Sequence, residues 1–136
     1  MMTLPVTAFV AAVCALLLLA TAIDTVRQRL RLKAAFGDQG DAKLISASRA
    51  HGNLAEYAPI TIILLGLLET VRANHMALMV LGAIFLIGRV GHIVGLYTPS
   101  VPGKAPFGRQ IGVVATFGVL AALSLWTLWV LGTQNL

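Results

Sequence analysis

Four long apolar stretches alternate with three short polar stretches along this chain of 136 residues. The apolar stretches cover about residues 4–26, 44–70, 76–97 and 109–133. Each is as long as, or longer than, the roughly 20 residues that an α-helix needs to cross a bilayer. The pattern therefore predicts a single domain over residues 1–136, an all-α integral membrane protein folded as a four-transmembrane-helix bundle.

The composition supports a membrane protein. Hydrophobic residues make up 58% of the chain and charged residues only 11%, and the mean hydropathy is +0.88. Soluble domains carry about 25% charged residues. The composition therefore excludes an ordinary soluble domain.

The distribution of charge predicts the topology. The net charge is +5, and nine of the ten Lys and Arg residues lie in or near the first and third polar stretches, with only Arg72 in the second. Basic loops stay on the cytoplasmic side. We therefore expect loops one and three in the cytoplasm and both termini outside, and we expect no nucleic-acid partner because the surplus charge marks topology.

The second apolar stretch opens with an unusually polar segment. Arg49, Asn53 and Glu56 follow one another at i, i+4 and i+7, so on a helix they fall within roughly 60° of each other. Polar and ionisable side chains at membrane depth are costly and usually face a protein interior or a water-filled cavity. This segment is therefore the first candidate for function.

Two further segments reach the same side of the predicted bundle. Span three exits there and span four begins there, so the topology places their polar residues beside those of span two. The predicted cavity is basic and faces the cytoplasm, which suits an anionic small molecule. Its members are Arg49, Asn53, Glu56, Tyr57, Arg89, His92 and Arg109.

An alternative remains open for the same residues. Glu56 could neutralise Arg49 or Arg89 in buried ion pairs that only lock the bundle. A metal site is not expected, because His92 has no second ligand at a suitable spacing. His51 points away from the Asn53 face and is expected to be structural, and His75 is expected to be a solvated loop residue.

Three polar segments characterise the chain: Arg-Ala-His-Gly-Asn-Leu-Ala-Glu-Tyr-Ala-Pro in span two, Gly-Arg-Val-Gly-His in span three and Pro-Phe-Gly-Arg before span four. Together they resemble the MAPEG family, the membrane-associated proteins in eicosanoid and glutathione metabolism. The resemblance covers nearly the whole chain and is closest to short bacterial members. It implies a homotrimer in the bacterial inner membrane, with glutathione bound between neighbouring subunits near the cytoplasmic face.

The resemblance also implies roles for the residues of span two and span four. Arg49, Asn53 and Glu56 would hold the polar ends of glutathione, with Glu56 at its α-amino group. Tyr57 matches a tyrosine present in some members. Arg109 matches an arginine proposed in relatives to hold the glutathione thiolate, so it is the predicted catalytic residue.

Spans one and three complete the implied glutathione site. Arg89 and His92 would line it from span three. A basic residue from the end of span one joins the site in relatives; Arg31 is our choice, with Arg27 and Arg29 as alternatives. Tyr97 is included because some relatives have a tyrosine one place earlier, where this chain has Leu96.

The implied function is that of a membrane-bound glutathione transferase or peroxidase acting on a lipophilic electrophile or a lipid hydroperoxide. Family members often have Glu-Arg ahead of the Arg-Ala-His segment, whereas this chain has Ile45-Ser46-Ala47-Ser48. The alternative is therefore a non-catalytic protein that binds a lipid or a thiol and acts through a partner. A small carrier is disfavoured, because no pair of broken helices is present.

Overall fold

The computed structural model describes residues 3–99 and 103–134, which form four α-helices and no strand. The helices are α1 (Pro5–Leu32), α2 (Ala42–Thr70), α3 (His75–Tyr97) and α4 (Phe107–Gln134). The all-α prediction is confirmed. His75 is not a loop residue as predicted but the first residue of α3, although its side chain is exposed.

Three of the helices are long and apolar enough to cross a membrane, namely Pro5–Leu32, His75–Tyr97 and Phe107–Thr133. Helix α2 has 29 residues, which corresponds to about 43 Å. Its composition is more polar, because it contains Lys43, Arg49, Glu56 and Glu69. That α2 forms a fourth span stays a prediction.

Polar contacts of Asp41 connect the two ends of loop one. Asp41 caps α2 by accepting a hydrogen bond from the backbone N–H of Leu44 at 2.9 Å. The same carboxylate pairs with Arg31 on α1 at 2.6 Å. The Arg31 guanidinium and the Leu44 N–H hold the pKa of Asp41 below its ordinary value of 3.8. The end of α1 is thereby tied to the start of α2.

Helices α3 and α4 approach each other closely through glycine. A Cβ atom added to Gly95 would overlap the backbone of Arg109, and one added to Gly112 would lie 2.6 Å from the carbonyl oxygen of Gly88. Small residues permit this kind of close contact in membrane bundles. The close contact also brings α3 against the first turns of α4, where His92 Nδ1 lies 3.3 Å from the carbonyl oxygen of Arg109.

The apolar core fills the space between the helices. Val10 and Cys14 of α1 pack in one cluster with Leu54 and Leu65 of α2 and Phe85 of α3. Helix α2 continues through Pro59 without a break. Among the described residues α1 and α4 make no contact, so α2 and α3 form the middle of the bundle.

The opposite end of the bundle has a polar contact that the sequence did not suggest. Glu69, near the end of α2, accepts hydrogen bonds from the backbone N–H groups of Val6 and Thr7 at 2.9 and 2.8 Å. It also accepts one from the Thr7 hydroxyl at 2.7 Å. Because the first N–H groups of a helix have no intrahelical acceptor, a side chain of α2 caps α1 here.

Candidate functional site

A cavity of about 680 Å³ lies between the first half of α2, the end of α3 and the start of α4. It is at the end of the bundle where loops one and three connect the helices. Its lining residues are Ala42, Ile45, Ser46, Ser48, Arg49, Gly52, Asn53, Glu56, His92, Leu96, Arg109 and Val113.

Five of the residues predicted from the sequence line this cavity: Arg49, Asn53, Glu56, His92 and Arg109. Three come from one face of α2, as the helical spacing predicted. His92 and Arg109 join them because of the glycine contact between α3 and α4. The structure therefore brings together segments that are up to 60 positions apart in the sequence, from Arg49 to Arg109.

The ion pairs of the alternative hypothesis are absent from the described part of the chain. The ion pairs within residues 3–99 and 103–134 are Arg31–Asp41 and His75–Glu69. Glu56 pairs with neither Arg49 nor Arg89, and both Glu56 and Arg49 are exposed at the cavity. These two charges are consequently free to meet a ligand.

Arg89 lies beneath the cavity and does not line it. Its side chain is only 2% exposed. It donates to Asn53 Oδ1 at 2.5 Å and to the carbonyl oxygen of Gly112 at 3.1 Å. Its guanidinium carbon lies 5.7 Å from the ring centroid of Tyr57 and 5.9 Å from that of Phe85. These contacts solvate the buried cation in place of water.

Tyr57 also lies outside the cavity lining. Its ring faces Arg89 on one side and packs against Phe117 of α4, with the ring centroids 5.9 Å apart. In this structure Tyr57 therefore supports the floor of the site. That Tyr57 contacts glutathione stays a prediction.

Arg31 and Tyr97 make contacts elsewhere in the same chain. Arg31 pairs with Asp41 in loop one. The Tyr97 hydroxyl donates to Asp24 of α1 at 2.5 Å, which links α1 to the end of α3. Neither residue lines the cavity of this chain, and their contact with glutathione stays a prediction.

Several lining residues were not predicted from the sequence. Ser46 precedes Arg49 by three positions and so shares the helical face of Arg49, Asn53 and Glu56, a spacing that could have indicated it. The Ser48 hydroxyl oxygen is buried and has no hydrogen-bond partner among the described residues. Leu96 and Val113 give the cavity an apolar side, and nothing in their sequence context distinguishes them from lipid-facing residues.

The electrostatics of the lining are asymmetric. Arg49 and Arg109 supply two permanent positive charges, and Glu56 supplies one negative charge. His92 and Asn53 add polar groups that can exchange hydrogen bonds. Such a set suits a ligand with carboxylate groups and one ammonium group.

Comparison with known families decides the classification. The MAPEG family matches residues 7–129 of the chain. This chain belongs to the MAPEG family. Among its relatives is inner membrane protein YecN of Escherichia coli K12, with 36% identity over 124 residues, which are 91% of each chain. YecN of Escherichia coli O6:H1, strain CFT073, matches to the same extent. No solved structure matches the chain.

Membership of the MAPEG family confirms the resemblance stated from the sequence segments. The match includes α2 and α3 completely, most of α1 and α4, and every residue that lines the cavity. Together with the three apolar helices, it identifies the chain as an integral membrane protein.

Proposed function

We propose that this MAPEG protein binds glutathione in the α2–α3–α4 cavity and activates its thiol for reaction with a lipophilic substrate. The observation that carries the proposal is the convergence of Arg49, Asn53, Glu56, His92 and Arg109 on one cavity. Its volume of about 680 Å³ is within the usual range for small-molecule sites, about 300–1,000 Å³.

The charges of the cavity complement those of glutathione. Glutathione carries two carboxylates and one ammonium group at neutral pH. Arg49 can hold a carboxylate through two parallel hydrogen bonds, which are among the stronger contacts available to a protein. Glu56, which has no partner among the described residues, would receive the ammonium group.

Arg109 is the proposed catalytic residue. A free thiol has a pKa of about 8.5 and is mostly protonated at neutral pH, and a nearby arginine lowers this pKa. The thiolate then attacks an electrophilic carbon, forming a C–S bond while a leaving group departs with its electron pair. With a lipid hydroperoxide, the thiolate attacks the terminal oxygen and the O–O bond breaks. A second glutathione then completes the reduction to alcohol, water and glutathione disulfide.

We further propose a homotrimer of four-span subunits in the bacterial inner membrane, with loops one and three in the cytoplasm. The name of the Escherichia coli relatives supports the location. The basic residues of loops one and three support the orientation. The many exposed apolar side chains support contact with lipid or with further copies of the chain.

The experiment is a turnover assay on purified protein in lipid vesicles, with glutathione and either a chlorodinitrobenzene or an organic hydroperoxide. We expect Arg109→Leu to lower kcat about tenfold or more, because one unit of thiol pKa changes the thiolate fraction by about that factor near neutral pH. Arg109→Lys retains the charge and should lose less. Glutathione affinity should change much less than kcat in both variants.

Two results would contradict the catalytic role. Full turnover by Arg109→Leu would exclude Arg109 as the residue that activates the thiol. Saturable glutathione binding by the wild type, with no turnover of either substrate class, would favour the non-catalytic alternative. The non-catalytic alternative stays in the test because Ile45 and Ser46 line the cavity at the positions where family members often have Glu-Arg.

A further inference from the structure

Arg89 is the most buried charged side chain among the described residues, and no carboxylate lies within ion-pair distance of it there. Its rigid fork contacts two other helices at once, since Asn53 belongs to α2 and Gly112 to α4. Thr116 donates to the same Gly112 carbonyl at 2.7 Å. Arg89 is therefore held by both α2 and α4. Of its partners among the described residues, Asn53 is the one that also lines the cavity.

The Arg89 contact determines which way the Asn53 amide faces. A guanidinium has only donors, so the atom of Asn53 that meets it must be the carbonyl oxygen. The –NH₂ group of Asn53 is then on the other side of the amide plane, and it makes no hydrogen bond to any residue of the described ranges. Rotation of the amide by 180° would set two donors against each other over a buried cation, which is strongly unfavourable.

We propose that Arg89 is a positioning residue that holds the Asn53 –NH₂ group toward the cavity, so that Asn53 acts there only as a donor. The ligand atom at this place must then be an acceptor, a carboxylate or amide carbonyl oxygen, and not the ammonium group. This inference rests on the proposed glutathione site and deepens it. Arg89 itself does not touch the ligand.

Asn53→Asp is the sharpest test, because the side chain keeps its shape while the –NH₂ donor is replaced by an acceptor oxygen. One carboxylate oxygen still accepts from Arg89, now as an ion pair, while the other presents an acceptor where the –NH₂ group had been. We expect a thermal midpoint at least equal to that of wild type. We also expect glutathione affinity, measured by calorimetry on the full-length protein, to fall roughly 10- to 100-fold.

A double-mutant cycle tests whether Arg89 acts through Asn53. Arg89→Lys supplies a point charge without the fork and should weaken glutathione binding in the wild-type background. In the Asn53→Ala background, Arg89→Lys should lower the glutathione affinity little further, because the amide that Arg89 orients is already absent. Equal losses in both backgrounds would show that Arg89 contacts the ligand directly, which would overturn the proposal.

The outcomes separate the inference from the proposed function. If the wild type binds glutathione and Asn53→Asp binds it equally well, the donor role of Asn53 is wrong and the proposed function survives. If the wild type does not bind glutathione at all, the proposed function fails and this inference fails with it. Should Arg89→Lys not fold, Asn53→Asp alone decides the donor role, since it retains the Arg89 contact.

Discussion

At the residue scale, the chain keeps charge inside an apolar bundle in two different ways. Glu69 is surrounded by backbone N–H groups and a hydroxyl, so its negative charge is solvated by donors that α1 would otherwise leave unpaired. Arg89 is solvated by a carbonyl, an amide oxygen and two aromatic rings. The side chains of Arg49, Glu56 and Arg109 have no such partners among the described residues, and they line the cavity. The charges available to a ligand therefore differ from the buried structural charges.

One residue-scale prediction concerns pH and Asp41. Its pKa is held below 3.8 by Arg31 and the Leu44 N–H, so the folded state favours the carboxylate. The stability that this gives is complete above about pH 4 and is lost as the pH falls through the lowered pKa. We expect Asp41→Asn to lower the thermal midpoint at neutral pH, with the difference from wild type shrinking below about pH 4.

Asp38→Asn is the matched control for this pH series. Asp38 lies in the same loop and accepts a hydrogen bond from the Gly40 N–H at 3.0 Å, but it makes no ion pair with an arginine in the structure. Thermal unfolding in detergent at several pH values measures both variants. An Asp41→Asn difference that stays constant down to pH 2 would contradict the account.

Much of the site's polar face could be predicted from the sequence. The spacing of Arg49, Asn53 and Glu56 requires a shared face on any helix, and the structure has them on one cavity wall. Arg89 was predicted as a lining residue, but an arginine on α3 can turn toward the cavity or beneath it. That choice depends on the Gly112 carbonyl and the Tyr57 ring, which no local pattern reveals.

At the element scale, the contact between α3 and α4 determines where Arg109 lies. Gly95 faces the backbone of Arg109, and Gly112 faces the Cα and Cβ atoms of His92. A side chain on either glycine would push the two helices apart and move Arg109 relative to His92. Gly91 and Gly95 have the four-residue spacing that is typical of close helix contacts, but the sequence does not indicate their partners on α4, Gly108 and Arg109.

We therefore predict that Gly95→Ala destabilises the protein by about 1–3 kcal/mol, the usual cost of forcing extra atoms into a packed interface. Gly118→Ala is the control, because a Cβ atom there meets nothing within 4 Å and alanine favours the helix. Thermal unfolding in detergent should show a lower midpoint for Gly95→Ala and an unchanged or higher one for Gly118→Ala. Equal midpoints would refute the close-contact argument.

A second element-scale prediction concerns the cap of α1. Glu69→Ala leaves the N–H groups of Val6 and Thr7 and the Thr7 hydroxyl without their acceptor. Each buried polar group left unpaired costs about 1–3 kcal/mol, so we expect a loss of about 2 kcal/mol or more. Glu69→Gln keeps an acceptor oxygen and should lose less.

Thr70→Ala serves as the control for the α1 cap, since the Thr70 hydroxyl bonds only within its own helix, to the carbonyl oxygen of Leu67. Unfolding in mixed detergent measures the three variants. A Glu69→Ala protein as stable as wild type would show that the cap contributes nothing. The sequence could not indicate this contact, because Glu69 belongs to a different helix from Thr7 and Val6 and lies 62 and 63 residues after them.

At the scale of the whole molecule, hydropathy alone predicts an all-helical membrane protein, and family membership agrees with it. Most of the basic residues lie in or near loops one and three, at the same end of the bundle as the cavity, so the predicted cytoplasmic face and the candidate site coincide. The arrangement of subunits cannot be read from one chain, because apolar side chains facing lipid and those facing a second copy obey the same pattern.

The central claim is that the α2–α3–α4 cavity binds glutathione, and calorimetric titration of the detergent-purified protein with glutathione tests it most directly. Gly52→Leu should block the cavity without disturbing the fold, since a Cβ atom at Gly52 meets nothing within 4 Å, and Gly118→Leu is the matched control. We predict saturable binding by wild type and Gly118→Leu, weaker binding by Arg49→Ala and Asn53→Ala, and none by Gly52→Leu. No saturable binding by wild type, or undiminished binding by Gly52→Leu, would contradict the account.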